Sequence, residues 1–411
     1  MEKFLFLLDE LPPCKSANGI CILKILEEIK KYGEVYCITW KKGAYYPYIK
    51  SYTIRQKPWT RKVEWFKAHD TNIAVKVMFL VARIIYKMKR LLLLGIWPID
   101  SLSTVYEYYK KASQIIANEK ITHVIAVSYP GETLMALKHL KKVYKKEIVT
   151  IMYPLDVTLE GLSQGNEIEK YFSKIGGRRL LHDCLKFADK IFVLENAEKL
   201  YRSIFSKAEQ KKFVISGIPM IERKMPIKEE KKQDSFIHCA YGGNLFSDIR
   251  NPTPVLDILE DIGRKKTEKI IFDIYGAVDG KLNTAWKGRY SNLKIIQHGW
   301  VKEEELNQAL STADILVNIG NTQSHLIPSK LFKYMSMGKP ILHQYVTNVD
   351  PCIPYLEKYN AALCVCADDS IEENAKKIEN FLEKKESNNT SLELLFPRCT
   401  PGYVANLIKE K

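Results

Sequence analysis

Apolar residues fall along this chain in two periods. The continuous run Phe4 to Leu8 reads as a strand buried on both faces, as in a parallel sheet, and His123 to Val127, Ile148 to Met152 and Lys190 to Leu194 read as further strands. Ile22, Ile25, Leu26 and Ile29 follow the i, i+3, i+4, i+7 spacing of one helix face. Val35 to Trp40 is a second strand, so the chain opens with a βαβ unit. Helices are predicted from about Glu132 to Tyr144 and from about Ile168 to Phe187, and Val214 to Pro219 forms a last strand and turn.

The pattern then changes. Residues 220–234, MIERKMPIKEEKKQD, are charged and poor in apolar side chains, and read as an interdomain linker. Strands resume at Phe236 to Tyr241, Ile270 to Tyr275, Leu293 to Gln297, Ile315 to Ile319 and Ile341-Leu342. A helix, an Ala-Asp pair and a strand occur at Ala188-Asp189 and again at Ala313-Asp314, so the two halves are built alike. The expected class is α/β with two Rossmann-like domains. They span 1–219 and 235–399, and a last helix follows within 400–411.

With 411 residues, two cores are expected rather than one. Apolar content of 46% and charged content of 27% describe a globular chain. A net charge of +15 calls for an anionic partner: nucleic acid, a membrane surface or a polyanionic substrate. No zinc finger, RNA-recognition signature or basic tail supports nucleic acid. The nine cysteines include no C-x-x-C pair, which suggests reduced thiols and a cytoplasmic setting. The apolar start after Met1-Glu2-Lys3 is too short for a signal peptide and reads as a strand. Ile73 to Trp97 is apolar, carries Lys76, Arg83, Lys87, Lys89 and Arg90, and lies in an acid-free interval from Asp70 to Asp100. Such a helix either lies on an anionic bilayer or packs on the core with its basic residues outward.

Candidate chemistry concentrates where strands end. Ile315 to Ile319 runs into Gly320-Asn321, and Pro328-Ser329 then opens a helix that Gly338 stops. A strand, a glycine turn and a helix N-terminus can hold an anion, with Lys330 adding charge, although most such units bind nothing. Gly242-Gly243-Asn244 follows another strand and lets backbone approach a ligand closely. Arg250 offers a planar fork suited to diphosphate, or else a surface ion pair. Gly276 ends a third strand and His298-Gly299 a fourth. In the first half Gly19 precedes the first helix, as a ligand contact or a turn residue. Ser128 and Asp156 follow strands, as ligand contacts or helix caps.

The segment Pro328-Ser329-Lys330-Leu331-Phe332, with Tyr334, Met335, Met337 and Gly338-Lys339-Pro340, resembles the donor-binding signature of GT-B glycosyltransferases, particularly family 4. YGGNLFSDIRNP from Tyr241 resembles the first strand and loop of that family's C-terminal domain. The resemblance covers most of residues 235–345. It implies two domains facing across a cleft, the last helix crossing back to the first domain, and a nucleotide-sugar donor held by the second. On it, Arg250 and Lys330 stabilise the departing diphosphate as catalytic residues. Gly243, Asn244, Gly276, His298, Gly299, Gly320, Asn321, His325, Ser329 and Lys333 line the donor site, with His298 near the base. Gly19, Ser128 and Asp156 lie on the acceptor side. The family's two glutamates are replaced by His325 and Lys333, and an ammonium accepts no ribose hydroxyl. Ribose is therefore held differently, or the donor differs, or activity is lost.

No two aspartates flank a single residue, so the D-x-D metal clamp is absent and no metal or other cofactor is expected. By resemblance the reaction is retaining. The expected function is sugar transfer to a glycan or lipid-linked acceptor in surface polysaccharide or glycolipid synthesis, in the cytoplasm or on the inner face of the plasma membrane. The alternative is a GT-B-shaped partner of such an enzyme without turnover.

Overall fold

The computed structural model describes residues 2–13, 17–41, 43–55, 59, 62–63, 65–66, 69, 73–93, 96–128, 131–155, 167–221, 236–265, 269–322, 327–347, 349–384 and 390–410. Asp156, His325 and the linker stretch from 222 onward lie outside them. The chain divides into two compact units, residues 1–219 with 398–411, and residues 220–397.

Among the described residues the first unit holds seven strands: β1 (Glu2–Leu7), β2 (Gly33–Thr39), β3 (Ile49–Thr53), β4 (His123–Val127), β5 (Val149–Tyr153), β6 (Lys190–Leu194) and β7 (Phe213–Ser216). All pair in parallel in the order β3-β2-β1-β4-β5-β6-β7. Its helices are α1 (Ala17–Ile29), α2 (Ile73–Leu93), α3 (Leu102–Glu119), α4 (Glu132–Tyr144), α5 (Glu167–Phe187), α6 (Glu198–Ile204) and α7 (Lys207–Gln210). The predicted runs are buried because parallel strands are covered on both faces: Phe4, Leu5, Phe6 and Leu7 have no solvent exposure. The helix after β1 starts at Ala17, so Gly19 sits inside its first turn, buried, rather than in the loop before it.

The second unit holds β8 (Ile237–Gly242), β9 (Ile270–Tyr275), β10 (Leu293–Gly299), β11 (Ile315–Ile319), β12 (Ile341–Tyr345) and β13 (Ala362–Cys366). They are parallel in the order β10-β9-β8-β11-β12-β13. Its helices are α8 (Thr253–Lys265), α9 (Gly280–Trp286), α10 (Glu303–Thr312), α11 (Lys330–Ser336), α12 (Ile353–Leu356), α13 (Ile371–Lys384) and α14 (Leu392–Leu395). The expected α/β class and Rossmann-like sheets are therefore present.

A final helix, α15 (Pro401–Lys409), belongs to the first unit. Thr400 caps it by accepting from the Tyr403 amide at 3.2 Å, and Pro401 fills the first turn, where a missing N–H has no cost. Val404, Ala405 and Ile408 are buried. Tyr32 donates to Asn406 Oδ1 at 2.6 Å, and the Gly217 amide donates to the Arg398 carbonyl at 2.9 Å.

Helix α2 is the outlier of the first unit. Phe79 and Tyr86, seven residues apart, stack on Trp59, at centroid distances of 6.4 and 4.3 Å. Ile73, Leu80, Ile84, Ile85, Met88 and Leu92 are exposed, Leu92 at 86%. Among the described residues no helix is long and apolar enough to cross a membrane.

Candidate active site

In a doubly wound sheet, ligands gather outside the carboxyl ends of strands, where the strand order reverses. In the second unit that point lies between β8 and β11, which pair through Cys239–Ile315 and Ala240–Leu316. β8 ends at Gly242 and β11 at Ile319, so Gly243-Asn244 and Gly320-Asn321 both leave the sheet there.

The β8 turn has glycine for a steric reason. Gly243 and Gly276 have φ of +139° and +144°, which side-chain-bearing residues rarely adopt. A Cβ on Gly276 would collide with the Gly243 carbonyl, and one on Gly243 would meet Lys330 Nζ at 3.0 Å. The Gly243 amide donates to the Tyr275 carbonyl at 2.7 Å. Asn244 closes the turn: its Oδ1 accepts from the Ala277 amide at 3.0 Å and its carbonyl accepts from Tyr241 at 3.1 Å. The Asn244 amide oxygen is thus committed to the fold.

Lys330 opens α11 and reaches back to this turn. The residue as a whole keeps some solvent contact, whereas its ammonium is buried with no hydrogen-bond partner. The ammonium stands 3.5 Å from the centre of the Tyr241 ring. Burial pushes the Lys330 pKa well below the ordinary lysine value, and the nearby Arg250 charge pushes it the same way. Burial also raises the Tyr241 phenol to about 12, so that ring stays neutral. Arg250 donates from Nε to Asn321 Oδ1 at 2.6 Å, which joins the β8 loop to the β11 loop. Tyr334, one turn into α11, accepts from the Gly242 amide at 2.7 Å and fixes the helix on β8. The site therefore holds two cations, and no described carboxylate pairs with either. Burying charge without a partner is costly, so such an arrangement suits an anion supplied from outside.

Ser329 precedes α11 in helical conformation and its hydroxyl makes no capping bond. The helix starts at Lys330 rather than at Pro328 as the proline suggested, which leaves Pro328 and Ser329 in the turn before it. Lys333 Nζ lies 3.4 Å from Glu303 Oε1, at the start of α10. Glu303 returns a carboxylate to the neighbourhood of the position where Lys333 replaces one. Its place beside Lys333 needs the tertiary structure, as do the contacts of Tyr241 and Tyr334, which the resembling segments include without showing what they touch.

His298 and Gly299 stand apart, at the end of β10. The His298 ring stacks on Tyr275 at 4.3 Å and its Nε2 lies 2.7 Å from Asp273 Oδ1. Asp273 also faces His238 Nδ1 at 3.6 Å. Gly299 has φ of +69° and open space where a side chain would be. In the first unit Ser128 follows β4 at the corresponding reversal beside β1. Its hydroxyl is buried without a partner, so it does not cap α4.

Residues 254–392 match a family model described as glycosyl transferase-like. No curated protein sequence matches the chain. Among solved structures, WaaG, a glycosyltransferase involved in lipopolysaccharide biosynthesis, aligns with a TM-score of 0.59 at 11% identity, over 99% of this chain and 100% of that one. The lipopolysaccharide outer core galactosyltransferase WaaB aligns with a TM-score of 0.56 at 11% identity, over 98% and 97%. HepE of Anabaena, in complex with UDP, aligns with a TM-score of 0.55 at 12% identity, over 98% and 95%. At these identities the likeness is one of fold, and the fold is GT-B.

Proposed function

We propose that this chain, a glycosyltransferase of GT-B fold, moves a sugar from a nucleoside diphosphate donor to a glycan or lipid-linked acceptor in surface polysaccharide or glycolipid synthesis. The observation that carries this reading is the buried, unpartnered Lys330 ammonium beside Arg250 at the β8–β11 reversal. A diphosphate brings the charge that both cations lack, and charge-assisted bonds to phosphate are the strong class. As the sugar–phosphate bond breaks, negative charge grows on the leaving diphosphate, and Lys330 and Arg250 stabilise it already oriented. These two protein cations serve in place of a metal on the diphosphate. Transfer proceeds with retention at the anomeric carbon, as the resemblance implies, and no separate base is assigned. The bound UDP of HepE supports a nucleoside diphosphate as the ligand class.

Glu303 takes over ribose recognition where Lys333 replaces a glutamate, since it supplies hydroxyl acceptors that Lys333 has none of. The reaction takes place on the inner face of an anionic membrane. The exposed apolar residues of α2, interspersed with Lys76, Arg83 and Lys87, support that placement.

Release of nucleoside diphosphate from a panel of sugar nucleotides, with and without lipid-linked acceptors, tests the proposal. One donor that turns over supports it. Nucleotide binding without turnover of any donor would favour the non-catalytic partner, to which the Lys333 substitution points.

A further inference from the structure

One cluster of chemically active side chains lies outside the residues assigned to the donor. His343 on β12, Asp350 in the following loop and Cys352 before α12 meet behind the β11 turn. His343 and Cys352 have no solvent exposure and Asp350 has 4%. One donor atom from each lies within 4.8 Å of the other two.

His343 Nε2 stands 3.4 Å from Asp350 Oδ1. That is beyond the usual hydrogen-bond range of about 2.7–3.2 Å. His343 Nε2, Asp350 Oδ2 and Asn318 Oδ1 are buried without hydrogen-bond partners. The other ring nitrogen, Nδ1, lies 3.2 Å from the Asn318 carbonyl and 2.9 Å from its side-chain nitrogen. With the Asn318 amide turned so that its otherwise unmet oxygen faces the ring, an Nδ1–H donates to that oxygen and to the carbonyl, and the Nε2 lone pair is left toward Asp350 and Cys352. A histidine that binds metal through one nitrogen commonly donates the other N–H to a backbone carbonyl in this way. Asp350 is oriented too, because its Oδ1 accepts from the Cys352 amide at 2.8 Å.

We propose that His343 Nε2, an Asp350 carboxylate oxygen and Cys352 Sγ bind a divalent cation of the zinc class. Nitrogen, oxygen and sulfur donors together suit that class. Bonds of about 2.0–2.3 Å put tetrahedral ligands roughly 3.3–3.8 Å apart, a spacing the His343–Asp350 pair already has. Cys352 binds as thiolate and releases its proton to solvent. A neutral imidazole, a carboxylate, a thiolate and a divalent ion then sum to zero charge, which suits a buried site, and a water fills the fourth tetrahedral position. A direct His–Asp hydrogen bond would have to span the long 3.4 Å gap.

The ion is structural. Gly320 packs against Asp350 so closely that a Cβ would strike its Oδ2. Fixing Asp350 therefore fixes the turn carrying Gly320 and Asn321, and Asn321 in turn holds Arg250. The ion takes no part in the charge stabilisation at the diphosphate, and the inference does not depend on sugar transfer.

Metal content tests it without reference to activity. The full chain, untagged, is given excess zinc, desalted and analysed, then reloaded with cobalt. About one equivalent of metal is expected, with a thiolate-to-cobalt charge-transfer band in the near ultraviolet. Cys352→Ser, judged folded by circular dichroism, is expected to lose that band, and chelation to lower the melting temperature of the wild type but not of the variant. Folded wild type that retains no metal would overturn the proposal, as would a Cys352→Ser variant with an unchanged cobalt spectrum. If that variant fails to fold, His343→Gln serves in its place under the same criteria.

Discussion

Replacing Lys330 by methionine should stabilise the free protein and disable it. Methionine keeps the apolar stem and removes the ammonium that is buried without a partner. Burying an ion has an effective cost of several kcal/mol after relaxation, so its removal is favourable by that order. Contact with the Tyr241 ring at 3.5 Å offsets part of the cost, about 2 kcal/mol in a desolvated site. A net gain of about 1–2 kcal/mol remains, and the depressed pKa, which lets the amine shed its proton, keeps it from being larger. The second unit spans 220–397, or 397 − 220 + 1 = 178 residues. At that size about 1–2 kcal/mol corresponds to a rise of about 2–8 °C in the melting temperature. The sign with pH follows from the shift. Because the folded pKa lies below the ordinary value, the penalty is present in full below the folded pKa and vanishes above the unfolded one. The gap between variant and wild type should therefore close as pH rises toward about 10.4. In the same samples UDP affinity should fall by roughly 10–150-fold, the loss of a charged hydrogen bond. Scanning calorimetry and titration calorimetry read both effects. A variant that melts lower than wild type at neutral pH, or binds UDP equally well, would refute the reasoning.

Three further outcomes are expected. Arg250→Ala should weaken UDP binding by about 1.5–3 kcal/mol in titration calorimetry, and an unchanged affinity would remove Arg250 from the phosphate site. Glu303→Gln should raise the donor KM while leaving UDP and 2′,3′-dideoxy-UDP nearly equal in affinity; a variant that still prefers UDP would show that ribose is held elsewhere. The chain should sediment with anionic vesicles at low salt and not at high salt, each basic residue near the surface being worth about 1 kcal/mol. Loss of binding in Leu80→Glu/Ile84→Glu would assign it to α2, whereas equal failure on anionic and neutral vesicles would remove the membrane reading.

The central strands were legible because a parallel strand covered on both faces needs a mostly apolar run, as Phe4 to Leu8 has throughout and Ile315 to Ile319 has except for Asn318. Strand β3 was not, because an edge strand buries little: Ile49 is buried while Lys50 and Ser51 face solvent. Helix α3 leaves little trace in the sequence although Val105, Tyr108, Ala112 and Ile115 fall on one face, since tyrosines and lysines on its other positions dilute the period. Gly19 lies in the first turn of α1 because the helix begins at Ala17, ahead of Ile22, the first residue of the apolar stripe. In the site, Gly243, Arg250 and Lys330 could be named from residue type and position after strands. What they touch could not, because Lys330 meets Tyr241 across 89 residues (330 − 241) and Arg250 meets Asn321 across 71. The cluster of His343, Asp350 and Cys352 has no metal-motif spacing, since a strand, a loop and a helix start each give one residue.

The return of residues 398–411 to the first unit has a consequence for synthesis on the ribosome. The first unit is begun first and finished last. Between Pro219 and Arg398 the ribosome must add the 178 residues of the second unit, about 9–36 s at 5–20 residues per second. During that interval the surface that Val404, Ala405 and Ile408 later cover faces solvent beside α1. The second unit ends at Pro397, so until the residues after it are made the first unit stays open to chaperones and to aggregation.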